Sequence, residues 1–179
     1  IGPQRARVAL LSGCAQQVLG PEIQAAAIHL LQHQGVEVIV PPAQGCCGAL
    51  AWHVGDEPAA KACADINLKA FNMDDVDAIL TTAAGCGSAL HEYPMISGSD
   101  SAQAFASKVR DVAEFIDHLG LRVPSGVSRQ TKVAMQDACH LLHGQGVHGA
   151  PRRLLASIPG VTLCDLADPE ICCGSAGTY

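Results

Sequence analysis

The sequence predicts an α/β fold: two tandem Rossmann-like βαβ units with parallel sheets, the second truncated at its C-terminus. Three observations predict it. Short apolar runs of strand length alternate with longer stretches whose apolar residues recur at helical spacing, the order that parallel sheets require. The stretch VALLSGC (8–14) returns as VAMQDAC (133–139). The triplet CCG occurs at 46–48 and again at 172–174, 32 positions after Cys14 and 33 after Cys139.

The elements follow in order. RVALLS (7–12) reads as a short buried strand. Pro21 opens a helix, Ile23, Ala27, Leu30 and Leu31 mark its inner face, and Gly35 ends it. VEVIV (36–40) is the second strand. Asp56 caps the next helix, with Pro58 in its first turn and Ala59, Cys63, Ile66 and Ala70 facing inward. DAILTT (77–82) is the third strand. One long helix is expected over about 102–119, with Phe105, Val109, Val112, Ile116 and Leu119 buried. LRVPSGVSRQT (121–131) has linker composition, which divides the chain into a first repeat, 1–122, and a second, 123–179. KVAMQ (132–136) begins a new strand, Pro151 opens a helix carrying Leu154, Leu155 and Ile158, and VTLC (161–164) is a further strand. A Gly-Val pair precedes the second strand of each copy, Gly35-Val36 and Gly160-Val161.

Composition narrows the function. With 11 Lys plus Arg against 17 Asp plus Glu the net charge is −6, which argues against a nucleic-acid partner. No apolar run reaches the ~20 residues of a membrane span, and no secretory signal leads the chain. The expected location is the cytoplasm, with peripheral contact to the inner face of the cell membrane. Nine cysteines, an odd count without a signal, favour metal or redox chemistry over a disulfide framework. The chain opens on Ile1 and stops at Tyr179, just after the second triplet, so it is expected to be a piece of a longer protein.

The cysteines fall at strand ends. Cys14 follows the first strand, Cys46 and Cys47 the second, and Cys86, in AAGCGSAL (83–90), the third. A parallel sheet brings these loops to one edge, where ligands bind. Four converging thiols suit an iron–sulfur cluster. Adjacent thiolates point apart along an extended backbone, so Cys46 and Cys47 reach two irons of one cluster more easily than a single zinc, although zinc at one site stays open. Gly48, Gly85 and Gly87, with Gly174 in the second triplet, let backbone amides approach and donate to the sulfurs. Cys139, Cys172 and Cys173 form the matching second set.

Three histidines are candidates to surround these sites. His140 and His143 flank Cys139 and are candidate metal ligands or proton relays, and His53, just after the first triplet, is a candidate to support that site; the plainer reading is a loop histidine bonded to backbone. His29, His33, His118 and His148 read as surface residues, and Cys63 and Cys164 as core thiols. GQGVHG (144–149) fits GxGxxG in letters, but about seven residues separate it from the preceding strand, so a phosphate loop is not expected. No Ser-His-Asp set or paired carboxylate site stands out, and Asp74-Asp75 reads as a solvated turn.

The CCG triplets, the cysteine some thirty residues before each, and DACHLLHGQGV (137–147) resemble the cysteine-rich CCG domain found in heterodisulfide reductases and in iron–sulfur subunits of membrane-linked oxidoreductases. CCGALAWHVGD, AAGCGSALHEY and CCGSAGTY are most similar to the iron–sulfur subunits of glycolate oxidases (glycolate dehydrogenases), with lactate-utilisation iron–sulfur proteins as relatives. The resemblance implies an upstream module with two ferredoxin-type [4Fe–4S] sites. It also implies a [4Fe–4S]-type cluster at the CCG site, flavin-containing partner subunits that hold FAD and the hydride chemistry, and electrons passed to a quinone-linked acceptor. The heterodisulfide reductase pattern closes each repeat with CxxC, whereas here Ala83 stands at the first of those positions and only Cys86 remains. That departure weakens the first alternative, a cluster-based thiol–disulfide oxidoreductase. The second alternative is a structural zinc module that docks partners.

Overall fold

The computed structural model describes residues 3–123, 130–172 and 174. The centre of the expected linker, 124–129, and Cys173 lie outside the described residues.

The first unit runs β1 (Ala6–Leu10), α1 (Gln16–Leu19), α2 (Pro21–His33), β2 (Val36–Ile39), α3 (Ala49–His53), α4 (Glu57–Ala70), β3 (Ala78–Thr81), α5 (Ala84–His91), α6 (Tyr93–Ser97), α7 (Asp100–Lys108), β4 (Val109–Asp111) and α8 (Val112–Leu119). Its four strands form one parallel sheet in the order β2-β1-β3-β4. Alternate residues of β1 face opposite layers, as the pleat demands. Val8 and Leu10 pack with Leu31 of α2 and Ile116 of α8. Ala9 and Leu11 pack with Ala64 of α4, Leu90 of α5 and Phe105 of α7. Helices thus cover both faces, and β3 is buried along its whole length. The second unit continues with β5 (Thr131–Ala134), a π-helical turn (His140–Gly144), α9 (Ala150–Ala156) and β6 (Val161–Cys164). Strands β5 and β6 pair in parallel as a second, smaller sheet. Among the described residues no helix is long and apolar enough to cross a membrane.

The α/β expectation therefore stands, with corrections. The expected long helix over 102–119 is two helices separated by β4, whose Val109 pairs with Ile79 and is fully buried. Asp111 causes the restart: its carboxylate accepts from the Ala113 N–H at 2.8 Å and caps α8. A three-residue strand leaves no period in the sequence, and Phe105, Val109 and Ile116 are buried as they would be on one helix face.

The inner face of α2 is also shifted. Ala27 and Leu31 are buried, but Ile23 and Leu30 are exposed. The stripe includes Gln24 and Gln34, whose side chains satisfy backbone groups of other segments: Gln24 donates to the Leu11 carbonyl at 3.0 Å and Gln34 to that of Arg122 at 3.0 Å. In α4, Asp56 caps the helix as expected, accepting from the Ala59 N–H at 3.1 Å. Its buried residues, however, are Ala60, Ala64 and Asn67; Ile66 is exposed and Cys63 half-buried. Cys164 is exposed, not a core thiol, because it sits on the outward face of β6.

Two contacts hold the second unit on the first. On one side Leu154 of α9 packs into the α2–α8 layer, and Arg153 grips the Asp117 carboxylate of α8, its Nη2 2.6 Å from Oδ2. On the other, the π-helical turn lies on α5: Ser88 Oγ donates to the His140 carbonyl at 3.1 Å and Gln145 Nε2 to the Ala84 carbonyl at 2.9 Å. Glycines make this fit. A Cβ at Gly144 would lie 2.5 Å from Ser88 Oγ, and one at Gly87 would lie 2.6 Å from Gln145 Nε2. The first glycine of GQGVHG thus has a packing reason.

Candidate metal centre

The strand order puts a topological switch point between β1 and β3, whose outward connections leave to opposite sides. Beyond the carboxyl ends of these strands lie the loops that carry Cys14 and Cys86, with the CCG loop after β2 beside them. The four thiols expected to converge do so. Cys14 Sγ lies 3.3 Å from Cys46 Sγ, and Cys47 Sγ–H donates to Cys86 Sγ at 3.1 Å. All four line one cavity of about 500 Å³.

Charge couples the four sulfurs. The bond from Cys47 holds the Cys86 thiol below its ordinary range, because that bond favours the thiolate acceptor. The same bond, with burial, pushes Cys47 far upward. Cys14 is raised by partial burial first and by Cys46 second. The sulfurs meet as two pairs. Among the described residues no group of three or more His, Cys, Asp or Glu side chains forms a ready-made site for one metal ion. Soft thiolates on three loops around an open cavity fit a polynuclear iron–sulfur group better than one tetrahedral zinc. Cys14, Cys46, Cys47 and Cys86 would hold that group, which would supply one-electron redox capacity.

The triplet glycine has a backbone reason. Gly48 adopts φ +81°, a left-handed conformation, and its N–H points to Cys46 Sγ at 3.4 Å. A Cβ there would also meet Cys63 Cβ at 3.0 Å. Gly174 repeats the geometry, with φ +79° and its N–H 3.4 Å from Cys172 Sγ. The two triplet glycines are therefore alike in conformation as well as in position. Gly85 lines the cavity, while the space at Gly87 is filled by Gln145 of the second unit. Ala83 also lines the cavity, so a cysteine at that position would have faced the same space.

His53 lies on the cavity wall, and so does His140. Their rings stack at 5.3 Å between centroids and 19° between planes. His143 is exposed and does not line the cavity. In the second set Cys139 is half-buried at the start of the π-helical turn and Cys172 is exposed. Their loops are tied together: Gln136 Nε2 donates to the Ile171 carbonyl at 2.7 Å and the Asp137 N–H to that of Pro169 at 2.8 Å.

Three residues that hold the first CCG loop escaped sequence reasoning. Gln44 accepts from the Ser12 N–H at 2.7 Å and donates to the Leu10 carbonyl at 3.2 Å, lashing the loop to the end of β1. Asn67, fully buried on α4, accepts from the Gly45 N–H at 2.9 Å and donates to the Cys46 carbonyl at 2.9 Å. Tyr93, also fully buried, donates to the Cys47 carbonyl at 3.0 Å and accepts from Asn67 at 2.9 Å. Burial pushes the Tyr93 hydroxyl well above its ordinary range, which keeps it a donor. The available signal was an asparagine amid the helical alanines of α4.

A doubly covered parallel sheet with thiols gathered at its switch point, followed by a second unit with the same triplet, defines a tandem cysteine-rich α/β protein. The pattern of the cysteine-rich (CCG) domain family matches residues 8–91 and 133–179, and the chain belongs to that family. It is similar to the probable glycolate oxidase iron-sulfur subunit of Bacillus subtilis, 37% identical over 100% of this chain and 42% of that protein. The glycolate oxidase iron-sulfur subunit of Escherichia coli is 35% identical over 97% of this chain and 44% of that protein. Lactate utilization protein A of Exiguobacterium is 30% identical over 96% of this chain and 72% of that protein. The chain thus spans less than half the length of the two glycolate oxidase subunits.

Proposed function

We propose that this chain is the CCG region of an iron–sulfur electron-transfer subunit in a glycolate or similar 2-hydroxy acid oxidase complex. The observation that carries the reading is the gathering of Cys14, Cys46, Cys47 and Cys86 around one cavity at the switch point. The similarity to two glycolate oxidase iron-sulfur subunits supports the choice of complex. The chain divides into two CCG repeats, 1–122 and 123–179, and Cys139, Cys172 and Cys173 begin a second site. Flavin-bearing partner subunits would hold FAD, which would supply the hydride chemistry on the 2-hydroxy acid. Cys14, Cys46, Cys47 and Cys86 would hold a [4Fe–4S]-type cluster, which would supply one-electron transfer towards a quinone-linked acceptor. The complex works in the cytoplasm, against the inner face of the membrane.

The test is elemental. The longer parent protein is produced anaerobically, and iron, acid-labile sulfide and zinc per chain are measured with and without Cys46→Ser/Cys47→Ser. Iron and sulfide lost in the variant, together with loss of glycolate oxidation by the reconstituted complex, is the expected result. Zinc at the site, or unchanged metal, overturns the reading.

A further inference from the structure

His140 lies next to Cys139 in sequence, which assigns it to the second site. The fold assigns it elsewhere. Its ring stacks on His53 from the first repeat and lines the cavity of the first four thiols, whereas Cys139 does not line that cavity. The ring is also placed over the Cys86 loop: a Cβ at Gly85 would lie 3.7 Å from His140 Nδ1. The backbone around it is clamped to α5, with Ser88 Oγ on the His140 carbonyl at 3.1 Å and Gln145 Nε2 on that of Ala84 at 2.9 Å. A π-helical turn carries it, an irregularity frequent where a side chain must be aimed.

We propose that His140, delivered by the second repeat, belongs to the first cysteine site, where it and His53 donate N–H hydrogen bonds to the sulfurs of the group held by Cys14, Cys46, Cys47 and Cys86. The inference rests on the reading of that site given above. Chemistry favours it. Four thiolates and the sulfides of a cluster concentrate negative charge, and much of the remaining wall, Leu19, Ile23, Leu50 and Ala49, is apolar. With Gln16, the two imidazoles are the lining side chains that carry N–H groups. Gln16 already accepts from Thr82 Oγ1 through its amide oxygen. Donors to sulfur stabilise the more negative, reduced cluster and raise its potential. The first site is then complete only when the two repeats are docked.

The experiment uses the anaerobically purified full-length protein and follows the reduced-cluster electron paramagnetic resonance signal that Cys46→Ser/Cys47→Ser removes. In His140→Ala that signal is expected to persist but titrate at a more negative potential, with a smaller shift in the same direction for His53→Ala. Cys139→Ser is expected to leave its potential in place. In the wild type, labelling histidine with ¹⁵N is expected to change a weak nitrogen coupling on that signal, a readout that needs no folded variant. An unchanged potential and coupling, or a shift confined to a signal that Cys139→Ser removes, overturns the proposal and leaves the first site standing. If Cys46→Ser/Cys47→Ser removes no iron, the site itself fails and this inference falls with it.

Discussion

At the scale of single residues, the cysteines could be read from the sequence because parallel strands send their carboxyl ends to one edge, so spacing alone gathers the loops. The residues that aim those thiols could not, because their role depends on which carbonyl lies opposite. Asn67 is the clearest case: amid alanines it looks like a solvated helix position, yet it is sealed between the CCG loop and Tyr93. Replacing it with alanine strands the Gly45 N–H, the Cys46 carbonyl and one Tyr93 bond. With each buried unsatisfied group costing ~1–3 kcal/mol, Asn67→Ala is expected to lower stability by about 3 kcal/mol in chemical denaturation. Tyr93→Phe, which frees the Cys47 carbonyl and removes one acceptor for Asn67, is expected to cost about 2 kcal/mol. A second expectation concerns protein stripped of metal. Cys14 is exposed and its sulfur lies 3.3 Å from that of Cys46, so diamide should take two hydrogens from this pair and form a disulfide. Peptide mapping is expected to show the 14–46 link before any link from buried Cys47.

At the scale of elements, strands and long helices were legible where burial was continuous, as in β3, and illegible where two elements shared one apolar register. The α7–β4–α8 segment shows why. Phe105, Val109 and Ile116 satisfy a helical period, and only the capping carboxylate of Asp111 and the pairing of Val109 with Ile79 reveal the break. Asp111 supplies a pH prediction. Burial raises its carboxyl above the ordinary value, only partly offset by the N–H of Ala113. A raised folded value means that its favourable contribution is full below the ordinary carboxylate pKa and is lost as pH rises through the folded one. Asp111→Asn keeps the cap and removes the buried charge. It is therefore expected to melt higher than the wild type at neutral pH, with the gap closing in acid, as followed by thermal unfolding across pH.

At the scale of the whole molecule, the repeat was visible in the matched triplets, but the docking of one repeat on the other was not. Docking depends on two absent side chains, Gly87 and Gly144, and on a charge pair far from the cysteines. Gly87→Ala should push Gln145 off the Ala84 carbonyl. Hydrogen exchange is expected to quicken over 140–147 while the amides of β1 and β3 stay protected. Across the other contact, Arg153 holds the Asp117 carboxyl below its ordinary value, chiefly by hydrogen bonding. A lowered folded value means that this contribution is present above the ordinary aspartate pKa and is lost as pH falls through the folded one. Acidification should therefore loosen α9 from α8, and Arg153→Ala is expected to abolish that pH response.

The cavity of the four thiols is open to solvent: Cys14 is exposed, and the wall residue Leu19 is 85% exposed. A redox group seated there can exchange electrons with a docked protein without a long path through the interior. The same opening admits dissolved oxygen. For such a group, speed of delivery and vulnerability to air would be two faces of one doorway.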